Sequence, residues 1–325
     1  MTRTRSLATS FLSISAAALL ALTAAGGATA APSASGDTEQ PSVTSAAVDG
    51  TGAADYWTED RMRNAIPGDV LAGKALERGN TSSAASVKKG SNTQVRGGKG
   101  KTTIAVSENP VDHIGKVFFT LAGSNYVCSG NAVVSSNKST VATAGHCLNE
   151  GPGAFATNFI FVPAYLNGAA PYGKWTARAL YAPTQWSGSG DMQYDTGFAV
   201  MNTFDGKYLS DVVNESGVEF NAARGLTYKS YGYPAASPFN GESLKSCYGP
   251  ASNDPNNPQF LTQGISCDMT GGSSGGPWFI QASPATGAAG LQNSINSYGY
   301  SRSPVMYGPY WGTVIQQTYT SAAAS

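Results

Sequence analysis

Charge is scarce in this 325-residue chain: Asp, Glu, Lys and Arg together make up 12%, and the formal net charge is +0. That balance offers no electrostatic footprint for a nucleic acid. The basic residues that do gather, Lys88, Lys89, Arg96, Lys99 and Lys101, lie among Gly and Ser and read as an exposed linker. Histidine is scarcer still, at 2 residues, and the 4 cysteines include no Cys-x-x-Cys pair. The spaced His and Cys ligands of a zinc site are therefore missing, and neither metal nor cofactor is expected. There is no alternation of strand and helix patterns and no internal repeat, which argues against a parallel doubly wound sheet. Beyond the N-terminal stretch no run is apolar enough to cross a bilayer, so no membrane partner is expected.

The N-terminal stretch itself reads as an export signal. Arg3 and Arg5 precede an apolar run from Leu7 to Ala25, and Ala28-Thr29-Ala30 offers small residues for a cut after Ala30. Residues 1–30 are assigned as a signal peptide and the mature protein as secreted, where disulfides persist. Ala31 to about Gly50 is rich in Ala, Ser, Thr and Gly and reads as disordered. Asp55 to Ala65 reads as a short helix, with Thr58 as its cap and Pro67 beyond its end. Gly79 to Lys101 reads as a flexible connector.

From about Ile104 the texture changes to short apolar runs separated by turn residues. The spacing predicts strands at 117–121, 126–134, 159–162, 175–181, 198–200, 228–231, 260–262, 278–280 and 294–298. Many short strands with Gly 39 and Tyr 16 indicate an all-β body, an antiparallel sandwich or barrel, with one helix from about Gly312 to Tyr319. About 220 residues suffice for one or two compact cores. Four cysteines allow three pairings. Cys128–Cys147 would tie the loop of His146 to a neighbouring strand, and Cys247–Cys267 would brace the wall ahead of Ser274; each bridge is worth about 2–4 kcal/mol.

Two strings carry the chemistry: Thr143-Ala144-Gly145-His146-Cys147, and Gly272-Ser273-Ser274-Gly275-Gly276-Pro277. Acyl transfer needs a nucleophile, a base and an acid that orients the base. His146, in a small-residue turn after a strand, is the candidate base, and His113 is read as a surface residue. Ser274 is the candidate nucleophile, because Ser273 is not followed directly by the two glycines. The backbone N–H groups of Gly272 and Ser274 are candidates for an oxyanion hole. Asp195, a polar residue heading an apolar strand, is the candidate orienting acid, and Asp191 reads as an exposed loop residue. Gly-x-Ser-x-Gly also fits an α/β-hydrolase, but those enzymes place their histidine after the serine, and no histidine follows Ser274.

The order His146, Asp195, Ser274, with Thr-Ala-Gly-His-Cys and Gly-x-Ser-Gly-Gly-Pro, resembles the chymotrypsin/trypsin family of serine endopeptidases. It is most similar to the secreted bacterial branch of trypsin-like and glutamyl endopeptidases. The resemblance spans roughly residues 110–320. It implies two antiparallel six-stranded β-barrels with the site between them, a short C-terminal helix, a pro-segment, and a disulfide beside the histidine. Residues 31–105 then read as pro-segment and linker, and 106–325 as the protease domain acting as a monomer on protein or peptide substrates. The resemblance further implies that Ser297-Tyr298-Gly299 is the edge strand that pairs with substrate, and that Asp268 and Thr270 belong to the specificity pocket. Ser273 stands where family members activated by a new N-terminus carry Asp, so that switch is absent. Two alternatives stay open: an inactive binding protein on the protease fold, and an esterase on the same barrels.

Overall fold

The computed structural model describes residues 42–79, 104–280, 290–301 and 303–325. The signal-peptide reading and nearly all of the expected connector lie outside the described residues. The first described stretch is not loose. It forms β1 (Val43–Ala47), α1 (Ala53–Tyr56), α2 (Glu59–Arg63), β2 (Ile66–Pro67) and α3 (Asp69–Gly79). The expectation of disorder to about Gly50 is thus corrected at Val43–Ala47. This run finds order by pairing antiparallel with an edge of the body, Val43 opposite Pro183 and Ala47 opposite Ala179. The expected single helix is split at Trp57 and Thr58. The Trp57 indole turns into the core, and Thr58 caps α2 by accepting from Arg61 N–H at 3.3 Å.

The body begins with a two-residue strap, β3 (Val106–Ser107), then builds a barrel from β4 (Ile114–Leu121), β5 (Ser124–Val133), β6 (Thr140–Thr143), β7 (Thr157–Pro163), β8 (Trp175–Pro183) and β9 (Gly197–Met201). These six close on themselves in the order β4-β5-β6-β9-β8-β7 and back to β4. Strand side chains alternate faces. Val117, Phe119, Leu121, Phe159 and Phe161 fill the barrel, while Ile114, Phe118, Ile160 and Val162 face outward into a second cluster. Burial of both faces is why these runs read as continuous rather than alternating apolar residues. The outward cluster also holds Ala53, Trp57 and Met62 from the N-terminal segment and Tyr231, Tyr233 and Phe279 from the second half of the body.

A helix α4 (Thr184–Ser189) follows β8, and α5 (Leu209–Val213) leads to the second half. That half contains β10 (Gly217–Val218), β11 (Thr227–Gly232), β12 (Lys245–Pro250), β13 (Ser252–Asn253), β14 (Gln263–Ser266), β15 (Pro277–Ile280), β16 (Leu291–Ile295) and β17 (Val305–Gly308). They lie in two sheets, β10-β16-β15-β11-β12-β3 and β13-β14-β17. The sheets are joined by the Cys247–Cys267 disulfide and by Ser297 N–H donating to the Tyr307 carbonyl at 2.8 Å. Phe260–Thr262, expected as a strand, is a bend and an irregular stretch leading to Gln263, which starts β14. The closing helix α6 (Thr313–Ala323) runs past the expected Tyr319 because Ala322 as well as Ile315 is buried in the core. Among the described residues no helix is long and apolar enough to cross a membrane.

Candidate active site

Strand register brings base and acid together. β6 and β9 pair antiparallel with Thr143 opposite Gly197. His146 lies in a 3-10 turn (Gly145–Cys147) just beyond β6, and Asp195 caps a 3-10 turn (Met192–Tyr194) just before β9. One carboxylate oxygen of Asp195, Oδ1, accepts from the His146 backbone N–H at 2.8 Å, and the other, Oδ2, accepts from His146 Nδ1 at 2.8 Å. Oδ2 also accepts from Ser297 Oγ at 2.5 Å. His146 and Asp195 are both 0% exposed. A carboxylate has only lone pairs to offer, so Nδ1 carries a proton. Nε2 is buried and has no hydrogen-bond partner among the described residues. A hydrogen bond from Ser274 is therefore not made in this state. The imidazole is braced at its side by Trp186, whose ring lies 6.4 Å away in an edge-on arrangement.

Ser274 sits in a loop held from both halves of the body. Its carbonyl accepts from Ser129 N–H at 2.7 Å, and Gly275 N–H donates to the Asn296 carbonyl at 2.7 Å. Ser129 Oγ donates to the Gly272 carbonyl at 2.9 Å. Asn296 Nδ2 donates to the carbonyls of Tyr231 at 2.8 Å and Ser273 at 3.0 Å, and Asn296 Oδ1 accepts from Ser230 and from the Trp278 indole at 2.7 Å each. Gly275 is required on two counts: its φ is +82°, and a Cβ would come within 2.2 Å of Thr143 Oγ1 and 2.4 Å of the Ser129 carbonyl. The N–H groups of Gly272 and Ser274 have no acceptor among the described residues. Two free amide donors beside a serine are what an oxyanion hole needs.

The two disulfides are Cys128–Cys147 and Cys247–Cys267, one of the three pairings that the sequence leaves open. Cys128, His146 and Cys147 lie close together among the described residues, but both sulfurs are in the disulfide and are not thiolates.

A cavity of about 690 Å³ adjoins Ser274. Its walls include Asp268, Thr270, Tyr298 and Gly299. Asp268 Oδ1 accepts from the Ala105 N–H at 2.6 Å, so the strap reaches the carboxylate from behind. Thr270 Oγ1 donates to the Ala236 carbonyl at 2.7 Å. Tyr298 donates to Asp254 at 2.8 Å and contacts Thr262 Oγ1 at 2.8 Å through its buried hydroxyl. Its backbone N–H and C=O both pair with Tyr307, whose carbonyl also accepts from Ser297 N–H. Ser297, expected only as substrate-binding, has a side chain committed to Asp195.

Two readings are corrected here. His113 is no plain surface residue: it is half-buried, with Nδ1 at 2.7 Å from Asn131 Oδ1 and its ring edge-on to Phe279, and burial lowers its pKa. Asp191 is also half-buried and accepts from Gln193 N–H at 3.0 Å. The sequence reading missed Ser129 and Asn296. Both are small polar residues within apolar surroundings, and only the fold reveals that they hold the serine loop.

The cavity's other wall belongs to the N-terminal segment. Asp69, Ala72, Gly73 and Leu76 line it from α3. The Asp69 carboxylate lies against Gly271, where a Cβ would come within 2.0 Å of its Oδ1. Burial pushes the Asp69 pKa upward, while the charge of His146 pulls the other way.

No family model matches the chain. A stretch of 79 residues, 24% of this chain and 24% of that protein, is 33% identical to the extracellular metalloprotease of Bacillus subtilis (strain 168). The match thus spans about a quarter of that relative's length. Solved structures cover far more. Protease Anisep from Arthrobacter nicotinovorans is 77% identical with a TM-score of 0.65, covering 67% of this chain and 99% of that one. The thermostable serine protease AL20 from an extremophilic microorganism is 51% identical with a TM-score of 0.63, covering 66% of this chain and 98% of that one. A Glu endopeptidase, 18% identical with a TM-score of 0.53 over 70% of this chain and 99% of that one, agrees in fold. Identity of 77% along nearly the whole length of a solved protease, on this barrel architecture, places the chain in the chymotrypsin-like serine protease family, as a serine endopeptidase acting on protein or peptide substrates.

Proposed function

We propose that this endopeptidase works through an acyl-enzyme on Ser274, with His146 as base and Asp195 as the group that orients it. The carrying observation is the double hold of Asp195 on His146, through Nδ1 and the backbone N–H, which leaves Nε2 buried and without a partner among the described residues. In that reading Nε2 takes the proton of Ser274 Oγ as the oxygen attacks a peptide carbonyl. The Gly272 and Ser274 amides receive the negative charge that develops on the carbonyl oxygen. His146 then gives its proton to the leaving amine, and water enters by the same route in reverse. Ser297 supports Asp195 as its third donor.

The cavity beside Ser274 is assigned as the pocket for the residue on the acyl side of the scissile bond. Residues 1–30 are assigned as the export signal and 31–105 as pro-segment and linker, ahead of the protease domain 106–325. Two disulfides are in keeping with passage to an oxidising compartment. The burial of His146 at 0% and Ser274 at 4% beneath the N-terminal segment supports a precursor form. The test is covalent labelling of the activated protein with a fluorophosphonate. Wild type is expected to label and to digest casein, and Ser274→Ala to do neither. Casein hydrolysis that persists in Ser274→Ala would discard the assignment.

A further inference from the structure

We infer that residues 66–76 thread the active-site cleft in the direction opposite to a substrate, and that the segment therefore acts as an uncleaved inhibitor that stays bound after the linker is cut. The inference rests on the proposed roles of Ser274 and of the pocket beside it. A substrate places its acyl-side residue in that pocket. Its leaving amine then lies on the side of Ser274 away from the pocket, where Cys147 Sγ is 4.0 Å from the Ser274 carbonyl and Ser129 of β5 donates to that carbonyl at 2.7 Å. Its chain thus runs, N to C, from the pocket toward β5.

The segment runs the other way. Ile66 and Pro67 lie on β5, parallel to it, opposite Tyr126 and Val127. Gly68 N–H donates to the Val127 carbonyl at 2.9 Å, and a Cβ on Gly68 would come within 2.5 Å of Cys128 Sγ. Asp69 follows, against Gly271. Then α3 carries Ala72 and Leu76 onto the pocket side, where Ala72 and Ala75 pack with Trp186, Met192 and Tyr298. The order is β5 first, pocket last.

Reversal removes the geometry of cleavage. At the Gly68–Asp69 bond, the residue before the bond lies on the leaving-amine side and the residue after it on the acyl side. The Gly68 carbonyl already accepts from Leu71 N–H at 2.9 Å, so it is turned into the first turn of α3. Beyond that bond the backbone is helical, and a helix cannot pair as a strand with Ser297 and Gly299. The side chain that does reach the serine loop is a carboxylate, which Ser274 cannot acylate itself upon without expelling oxide or hydroxide.

Retention follows from anchors outside the cleft. Trp57 is 0% exposed, stacks obliquely on Phe118 at 5.3 Å, and donates to the Asn158 carbonyl at 2.6 Å. Lys174 Nζ donates to the Trp57 carbonyl at 2.7 Å, and β1 pairs with β8 over five residues. At the far end Arg78 donates to the Gly151 carbonyl at 2.5 Å. None of these contacts depends on the linker.

The test uses the full chain with a recognition site for an exogenous sequence-specific protease inserted in the linker, as wild type and as Ser274→Ala. After cutting, both fragments are expected to co-elute on size exclusion. Hydrolysis of a small chromogenic peptide should stay at least about tenfold below the rate reached once the segment is removed under mild denaturant and the body returned to buffer. Mass spectrometry should find no cut between residues 66 and 76 while the complex lasts. Gly68→Val, which pushes residues 66–76 off Cys128 while leaving the Trp57 and β1 anchors in place, is expected to raise activity at once with the fragments still co-eluting. Fragments that part on cutting with full activity, or a cut within 66–76 in the co-eluting complex, would overturn the inference. A body that never turns over after the segment has left would sink the protease reading instead, while co-elution in Ser274→Ala still judges this one.

Discussion

The two halves of the body close differently, and the difference sorts their tasks. The first barrel is closed by a full ring of paired strands around an apolar interior and carries His146 and Asp195 on adjoining strand ends. The second is two sheets held together by a disulfide and a few bonds from the stretch after β16, and its interior includes buried Asn293, Asn296, Ser230 and Asp254. In the proposed mechanism Asp195 has to hold the His146 ring in one orientation, a task suited to adjoining strand ends of a closed barrel. The serine loop and pocket lie where side-chain hydrogen bonds, rather than strand pairing, set the shape.

The largest effect should show the halves acting as one unit. Asp195→Asn in the first barrel is expected to lower kcat by about 10⁴-fold through the wrong imidazole tautomer. Ser274→Ala in the second should cost at least as much, and the double variant little more than the worse single one. Steady-state kinetics on the activated protein checks this; additive losses would mean that the halves act separately.

Removal of the disulfides separates the barrels. Their sequence separations are 19 and 20 residues, so each Cys-to-Ser pair should lower stability by a similar amount, about 3 kcal/mol. Activity at a temperature where both remain folded should differ. The Cys247/Cys267 variant is expected to lose substrate affinity, because the bridge joins its two sheets. The Cys128/Cys147 variant should keep it. Urea melts and KM values measure the two quantities.

Ser297→Ala tests the link between halves. Loss of a hydrogen bond to the Asp195 carboxylate should cost about 2 kcal/mol, seen in kcat with little change in KM. The acid limb of the pH profile should also move, a shift that a role in substrate binding alone would not produce.

The smallest effect concerns Lys116, on β4, whose Nζ lies 4.3 Å from the Tyr165 ring and donates to the Gly241 carbonyl of the second half at 3.0 Å. Burial holds its pKa down to about 8, against an ordinary 10.5. Between those pH values the unfolded chain binds the extra proton, so the cost of this group is full below pH 8 and is relieved as pH rises through that window. Lys116→Met is expected to stabilise the protein at pH 7 by about 1–2 kcal/mol, offset in part by the lost ring contacts, and to give a smaller gain near pH 10. Thermal melts at the two pH values check the sign.

Much of this was legible in the residues. Ser274 stands out by its flanking glycines, His146 by a small-residue turn beside a cysteine and Asp195 as a polar residue heading an apolar strand, and their order along the chain argues against an α/β-hydrolase. The strands with both faces buried were found as apolar runs. Three things were not legible. Val43–Ala47 has a composition common in disordered tails, and it is a strand only because β8 offers an unpaired edge. The hydroxyl of Ser297 and the amide of Asn296 are ordinary polar side chains until folding places them against Asp195 and Ser273. The end of α6 is set by the burial of Ala322 rather than by a stop signal.

The strap at Ala105 has its own consequence. A half-buried carboxylate at the pocket wall is satisfied by a backbone amide that lies only a few residues from the start of the folded body. Exopeptidase trimming by a residue or two past Ala105 would strip Asp268 of that donor while leaving the Lys229–Glu108 pair at 2.9 Å in place. On the proposed assignment of Asp268 to the pocket, mature chains that start before or after Ala105 would fold alike yet differ in selectivity.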